Sequence, residues 1–144
     1  MGLFDLDFIK EKGNAILLGP PGTGKTHLAL ALGYLACLIG IKTCFTTAMN
    51  LINILSASLA DNSFLKAMKH FTSPQLLIID ELGYLPVDKQ GADLLFQVIS
   101  YRYECGSIVV TTNRAFRDWG EILNNDNTLA PAIIDRLVHH GVMV

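Results

Sequence analysis

The chain has 144 residues, 51% of them hydrophobic and 17% charged, enough for one domain with a core of its own and too few for two ordinary ones. That balance excludes a disordered chain. Its 11 Lys and Arg against 13 Asp and Glu give a formal charge of -2 at pH 7, which excludes a global basic footprint, so any DNA contact has to be local or supplied by neighbouring subunits or further segments.

Residues 1–13 read as a short leader ahead of a single unit at 14–144. The opening "MGLFDLDFIK" has neither a cleavable signal pattern nor an Arg-rich transit pattern, and the expected compartment is the cytoplasm. From Asn14 the sequence alternates apolar strand-like runs with helix-like ones. A strand at 14–19 precedes a helix from Lys25 to about Ile39, in which Gly33 costs some propensity. The apolar stretch from Leu28 to Ile41 falls short of the roughly 20 residues that span a bilayer, so no membrane contact is expected. A strand at 41–47, helices near 48–60 and 63–70, and a strand at 75–80 follow. Next come a helix from Lys89 to about Tyr103, a strand at 107–113 and helix-like pieces at 115–123 and 130–140. The strands are apolar without alternation, as in a parallel sheet covered on both faces, and the fold class is therefore α/β, a sheet between two layers of helices. Cys37, Cys44 and Cys105 form no CxxC pair, suggest neither a disulfide framework nor a zinc site, and read as buried small hydrophobes. The closing "GVMV" looks like a strand that has just begun, and only 13 residues precede the first core strand; both features read as a core cut from something larger.

"GPPGTGKT", residues 19–26, lies between the first strand and the first long helix. It matches G-x-x-x-x-G-K-[ST] through Gly19, Gly24, Lys25 and Thr26, in the strand-then-helix context that the motif requires. Glycines let the backbone wrap closely around a phosphate chain and aim N–H groups and the helix N-terminus at it. Lys25 would reach the β and γ phosphates of a nucleotide, and the Thr26 hydroxyl would ligate Mg²⁺. The apolar run ending "IIDE" places Asp80 at the carboxyl edge of the sheet, able to hold Mg²⁺ directly or through water. Glu81 is then free to orient and deprotonate a water in line with the γ phosphate, which points to hydrolysis.

The strand at 107–113 ends in Asn113, whose amide could bond the attacking water or the γ phosphate, or else cap a turn or helix. Arg136, in "IIDRLVHH", lies far along the chain from the glycine-rich loop. It reads either as completing a neighbouring subunit's site or as a surface ion pair with Asp135 or Asp118. His139 and His140 have no partner at metal-ligand spacing. Lys66, Lys69, Arg114 and Arg117 read as a solvated face, and the aromatics of "SYRYE", residues 100–104, as packing rather than base-stacking groups.

With those residues in hand, the chain resembles the AAA+ ATPases and, within them, the IstB-like transposition helpers, close to the DnaC-type helicase loaders. The resemblance runs from about Asn14 to Val142 and rests on "GPPGTGKTHLA", "LLIIDELGYLP", "LLFQVISYRYE", "VVTTNRAFRDWGEI" and "AIIDRLVHH". It implies a P-loop NTPase core that binds ATP and Mg²⁺. Walker A would run through Gly19, Pro20, Pro21, Gly22, Thr23, Gly24, Lys25, Thr26 and His27, and Walker B would be Asp80 and Glu81. Asn113 fits sensor 1, and Arg136 fits an arginine finger acting in trans. The resemblance also implies a homo-oligomer with sites between subunits, assembled on double-stranded DNA to deliver a transposase, or a replicative helicase on the loader alternative. Relatives carry an N-terminal extension and continue to a sensor 2 arginine, so an AAA+ core with an incomplete lid and final strand is expected.

Two readings from other classes stand beside this one. A small-molecule kinase on the same P-loop would need an acceptor site and an arginine-rich lid. A nucleotide-gated module that no longer turns over would bind ATP without catalysis.

Overall fold

The computed structural model describes residues 3–139 and 141–143. Its centre is a five-stranded parallel sheet of β1 (Asn14–Leu18), β2 (Thr43–Thr47), β3 (Leu76–Leu82), β4 (Ser107–Thr112) and β5 (Gly141–Met143), in the order β2-β3-β4-β1-β5. The helices are α1 (Asp7–Lys10), α2 (Lys25–Leu38), α3 (Ala48–Ala60), α4 (Phe64–Thr72), α5 (Lys89–Arg102), α6 (Trp119–Ile122) and α7 (Leu129–Val138).

Successive strand residues point to opposite faces, and the core divides accordingly. Ala15, Leu17, Leu76, Ile78 and Val109 face a cluster with Leu6, Phe8 and Ile9 of the first segment and Ala29, Leu32 and Ala36 of α2. Ile16, Leu77, Ile79, Ile108 and Val110 face a larger cluster, with Leu51 and Leu55 of α3, Phe71 of α4, Leu95 and Val98 of α5, and Ile133 and Leu137 of α7. A sheet buried on both faces in this way is the expected three-layer α/β fold. Residues 3–10 hold a 3-10 turn and a short helix, and Leu6, Phe8 and Ile9 join the core while Phe4 is exposed. Gly33 has a packing reason for its place in α2, because a Cβ there would sit 2.9 Å from Ile78 Cδ1.

The predicted elements fall within a few residues of the observed ones, with two informative differences. β3 does not stop at Asp80 but continues through an irregularity to Leu82. The piece expected at 115–123 divides into a 3-10 turn, Phe116–Asp118, and α6. The closing strand pairs with β1 in parallel at Gly141–Met143, while His140 and Val144 lie outside the described residues.

The reading of the cysteines as buried is corrected. Cys37 and Cys105 are exposed, because the inward positions of α2 go to Ala29, Leu32, Gly33 and Ala36, and Cys105 sits in the turn after α5. Cys44, on the edge strand β2, is half-buried with its Sγ 3.8 Å from His70 Nε2, and burial raises its thiol pKa. The reading of "SYRYE" is corrected in part. Tyr101 stands 68% exposed, while the charged residue beside it, Arg102, is 1% exposed. Arg102 Nη1 donates to the carbonyl oxygens of Phe71 and Pro74, and Nη2 to those of Gln75 and Ser107. It thereby ties the amino ends of β3 and β4 to the end of α5. Burial lowers its pKa to about 10, against an opposing pull from Cys44 and Cys105.

Candidate nucleotide-binding site

Because β4 lies between β1 and β3, the carboxyl ends of three strands come together on one edge of the sheet. The crevice outside such ends is where open α/β sheets place ligands. β1 runs into the glycine-rich loop, and the Gly19 N–H donates to Thr112 O at the end of β4, at 3.2 Å. Gly22 and Gly24 have φ of 81° and 84°, a left-handed conformation that would strain other residues, and Gly24 caps the start of α2. Lys25, only 8% exposed, folds back over the loop. Its Nζ donates to Gly19 O, to Pro20 O at 2.8 Å and to Thr23 Oγ1 at 3.4 Å.

A cavity of about 300 Å³ lies beside the loop, lined by Leu17, Leu18, Gly19, Pro20, Thr23, Gly24, Lys25 and Leu28. Five of the predicted contact residues line it; Pro21, Gly22, Thr26 and His27 do not, and the His27 side chain is exposed. The three leucines were not anticipated. They supply the apolar wall that small-molecule sites need.

Thr26 faces Asp80. Its Oγ1 donates at 3.1 Å to both carboxylate oxygens, although 54 residues separate the two in sequence. Asp80 is 3% exposed, and its Oδ1 also accepts from Thr111 Oγ1 of β4. The same Thr111 Oγ1 accepts the Glu81 N–H at 2.8 Å. Glu81 has φ 63°, the left-handed region that costs a non-glycine residue about 1 kcal/mol or more. The irregularity in β3 and the Thr111 bond hold it there, with the Glu81 side chain exposed beside a buried Asp80. Asn113 follows β4 directly. Its Oδ1 is shut off from solvent and accepts no hydrogen bond, an acceptor whose burial is costly until a donor arrives.

No group of three or more His, Cys, Asp or Glu side chains able to hold a metal occurs among the described residues. A hydroxyl and one carboxylate, Thr26 and Asp80, nevertheless fit Mg²⁺, which keeps several waters and shares its remaining ligands with substrate phosphates.

Arg136 is elsewhere. Asn14, the first residue of β1, donates through Nδ2 to the carbonyl oxygens of Arg136 and Leu137, at 3.3 and 3.2 Å, while its Oδ1 accepts the Ile108 N–H at 2.8 Å. The end of α7 is therefore pinned to the amino edge of the sheet, and the glycine-rich loop leaves the carboxyl edge. Five strand residues, about 13 Å of rise, separate the two along β1. The alternative ion pair with Asp135 or Asp118 is not among the described ones; the guanidinium lies over the rings of Phe96 and Tyr103. Of the other cations considered, Lys66, Lys69 and Arg117 are exposed, and Arg114 pairs with Glu121 at 3.3 Å.

The profile of the IstB-like ATP binding protein family matches residues 1–144. The chain belongs to this family. Its relatives include the insertion sequence IS5376 ATP-binding protein of Geobacillus stearothermophilus, 47% identical over 98% of this chain and 56% of the relative. The insertion sequence IS21 ATP-binding protein of Pseudomonas aeruginosa is 44% identical over 96% of this chain and 52% of its own length. The chain thus spans little more than half the length of these relatives. Among solved structures, the DnaC helicase loader superimposes with a TM-score of 0.76 at 23% identity, covering 94% of this chain and 80% of that one. At that identity the likeness shows a shared fold and nothing finer. No helix among the described residues is long and apolar enough to cross a membrane.

Asn14 and Thr111 are the site-supporting residues that sequence reasoning missed. For Thr111 the signal was present, since two hydroxyls end an otherwise apolar strand immediately before Asn113.

Proposed function

We propose that this chain is the ATPase core of an IstB-like transposition helper, which hydrolyses ATP at sites completed between subunits assembled on DNA. The single observation that carries the between-subunit part is the placement of Arg136. Its backbone is hydrogen-bonded at the amino edge of β1, whereas Lys25, Thr26 and Asp80 gather at the carboxyl edge. Within one chain the arginine cannot reach the phosphates, but a second copy can present it.

On this reading the loop N–H groups and Lys25 take the β and γ phosphates. To do so, Lys25 leaves the carbonyl oxygens of Gly19 and Pro20, exchanging neutral acceptors for charged ones. Thr26 and Asp80 would hold Mg²⁺, which when bound would supply positive charge beside the phosphates. Glu81 takes a proton from the attacking water. The water oxygen bonds to the γ phosphorus as the bond to the bridging oxygen breaks, giving ADP and phosphate. Asn113 orients that water through its buried Oδ1, and the neighbour's Arg136 stabilises charge on the transferred group.

The transposition role rests on relatives at 47% and 44% identity that belong to insertion sequences, whereas the helicase loader shares fold alone. Transfer to water rather than to a small-molecule acceptor is supported by Glu81 standing exposed beside buried Asp80.

The test is phosphate release from ATP over a range of chain concentrations, with and without duplex DNA. Per-subunit turnover that climbs with both is the expected result; turnover independent of concentration would overturn the between-subunit site. Glu81→Gln should lower kcat by about 100-fold or more while ATP stays bound.

A further inference from the structure

Arg136 is held in an unusual way for a surface cation. Its guanidinium carbon lies 5.0 Å from the centroid of the Phe96 ring and 5.9 Å from that of Tyr103. Nη1 donates to Ala132 O at 3.0 Å, one turn back along α7. Tyr103 is braced in turn by the His139 ring, with centroids 5.3 Å apart, and His139 Nε2 lies 3.2 Å from the Glu104 carboxylate. In front of this arrangement opens a cavity of about 620 Å³, lined by Tyr103, Asp135, Arg136, Val138 and His139.

We infer that Phe96 and Tyr103 are positioning residues, which preset the Arg136 guanidinium for delivery to a neighbouring copy's nucleotide. The inference rests on the between-subunit reading above. A carboxylate partner would fix an arginine equally well, but it would neutralise the charge and compete with a phosphate for the same N–H groups. An aromatic face attracts the cation through its quadrupole and uses up none of its hydrogen-bonding edge. The contrast lies within the same fold. Arg102, 34 residues earlier, gives its guanidinium to four carbonyl oxygens and is buried, whereas Arg136 donates to one carbonyl and is otherwise held by rings at the mouth of an open cavity.

Mixed oligomers test this with two full chains. The donor carries Lys25→Ala, which disables its own phosphate loop but leaves its Arg136. The acceptor carries Arg136→Ala with its own loop intact. Each alone should be inactive, and the mixture should hydrolyse ATP. If the mixture is inactive, the between-subunit reading fails and the positioning role with it.

Given an active mixture, Phe96→Leu or Tyr103→Leu on the donor should lower kcat about 3- to 30-fold with the KM for ATP unchanged. Phe96→Tyr, which keeps the ring, should restore it. On the acceptor, whose Arg136 is already absent, the same changes should cause no comparable loss. Tyr103 lies near the surface, so its replacement tests the role even if Phe96→Leu disturbs packing. Equal losses on donor and acceptor, or no loss on the donor, would overturn the positioning role while leaving the between-subunit site standing.

Discussion

The two edges of the sheet handle charge in opposite ways. At the carboxyl edge, Lys25, Thr26, Asp80 and Thr111 are bonded to one another or to the loop backbone, and a left-handed Glu81 and an unsatisfied Asn113 oxygen remain beside them. At the amino edge, Arg102 is consumed by structure and Arg136 is steadied by rings. Two neighbouring carboxylates, Asp80 and Glu81, stand at the first edge, and a cation outside the described ion pairs at the second. On the proposed function neither edge completes a catalytic set by itself, and the chemistry requires another copy of the chain.

The sharpest way to break this comparison is Arg136→Ala. It should lower kcat about 1,000-fold or more with nucleotide affinity unchanged, measured by steady-state turnover beside equilibrium ATP binding. Equal loss of binding would place the arginine in its own chain's site. Arg102→Leu should do the reverse. It strips one donor group from four carbonyl oxygens and should destabilise the fold by about 3 kcal/mol, read from the urea midpoint, with kcat per folded molecule little changed.

Thr111→Val probes the strain at the carboxyl edge. Losing both the donor to Asp80 and the acceptor for the Glu81 N–H should cost about tenfold in kcat. A smaller effect comes from Asp126, whose carboxylate accepts the Leu129 and Thr128 N–H groups at the start of α7, lowering its pKa below the ordinary carboxylate value. A lowered pKa in the folded state means that this stabilisation is present above the usual carboxylate range and fades as pH falls through it. Asp126→Ala should therefore lower the melting temperature at neutral pH and narrow the gap from wild type in acid.

What could be read from sequence was whatever is local. The glycine-rich loop announces itself because Gly22 and Gly24 are required by backbone conformation, and Asp80 because an apolar strand ends there. Elements with strong periodicity, such as α3 and α5, also fell where expected. The misses depend on pairing between distant segments. Nothing near Asn14 shows that its amide will bridge β4 and α7, and nothing in "SYRYE" says that the arginine turns inward while Tyr101 turns outward. The continuation of β3 past Asp80 was hidden because it depends on β4 supplying Thr111 and Thr112, the latter donating to Leu82 O at 2.6 Å. Arg136 stood between two local readings, and its place at the amino edge is what supports the between-subunit one proposed above.

The Asn14 bonds also carry a consequence for biosynthesis. Its partners Arg136 and Leu137 lie 122 and 123 residues downstream. At about 5–20 residues per second, a ribosome needs roughly 6–25 seconds to deliver them. During that interval the nascent chain already contains its phosphate loop, yet the corner bearing Arg136 has not been made. On the proposed function, a newborn chain therefore has its phosphate loop before the residue it would lend to a neighbour, and joining a productive assembly would be reserved for chains whose α7 has docked.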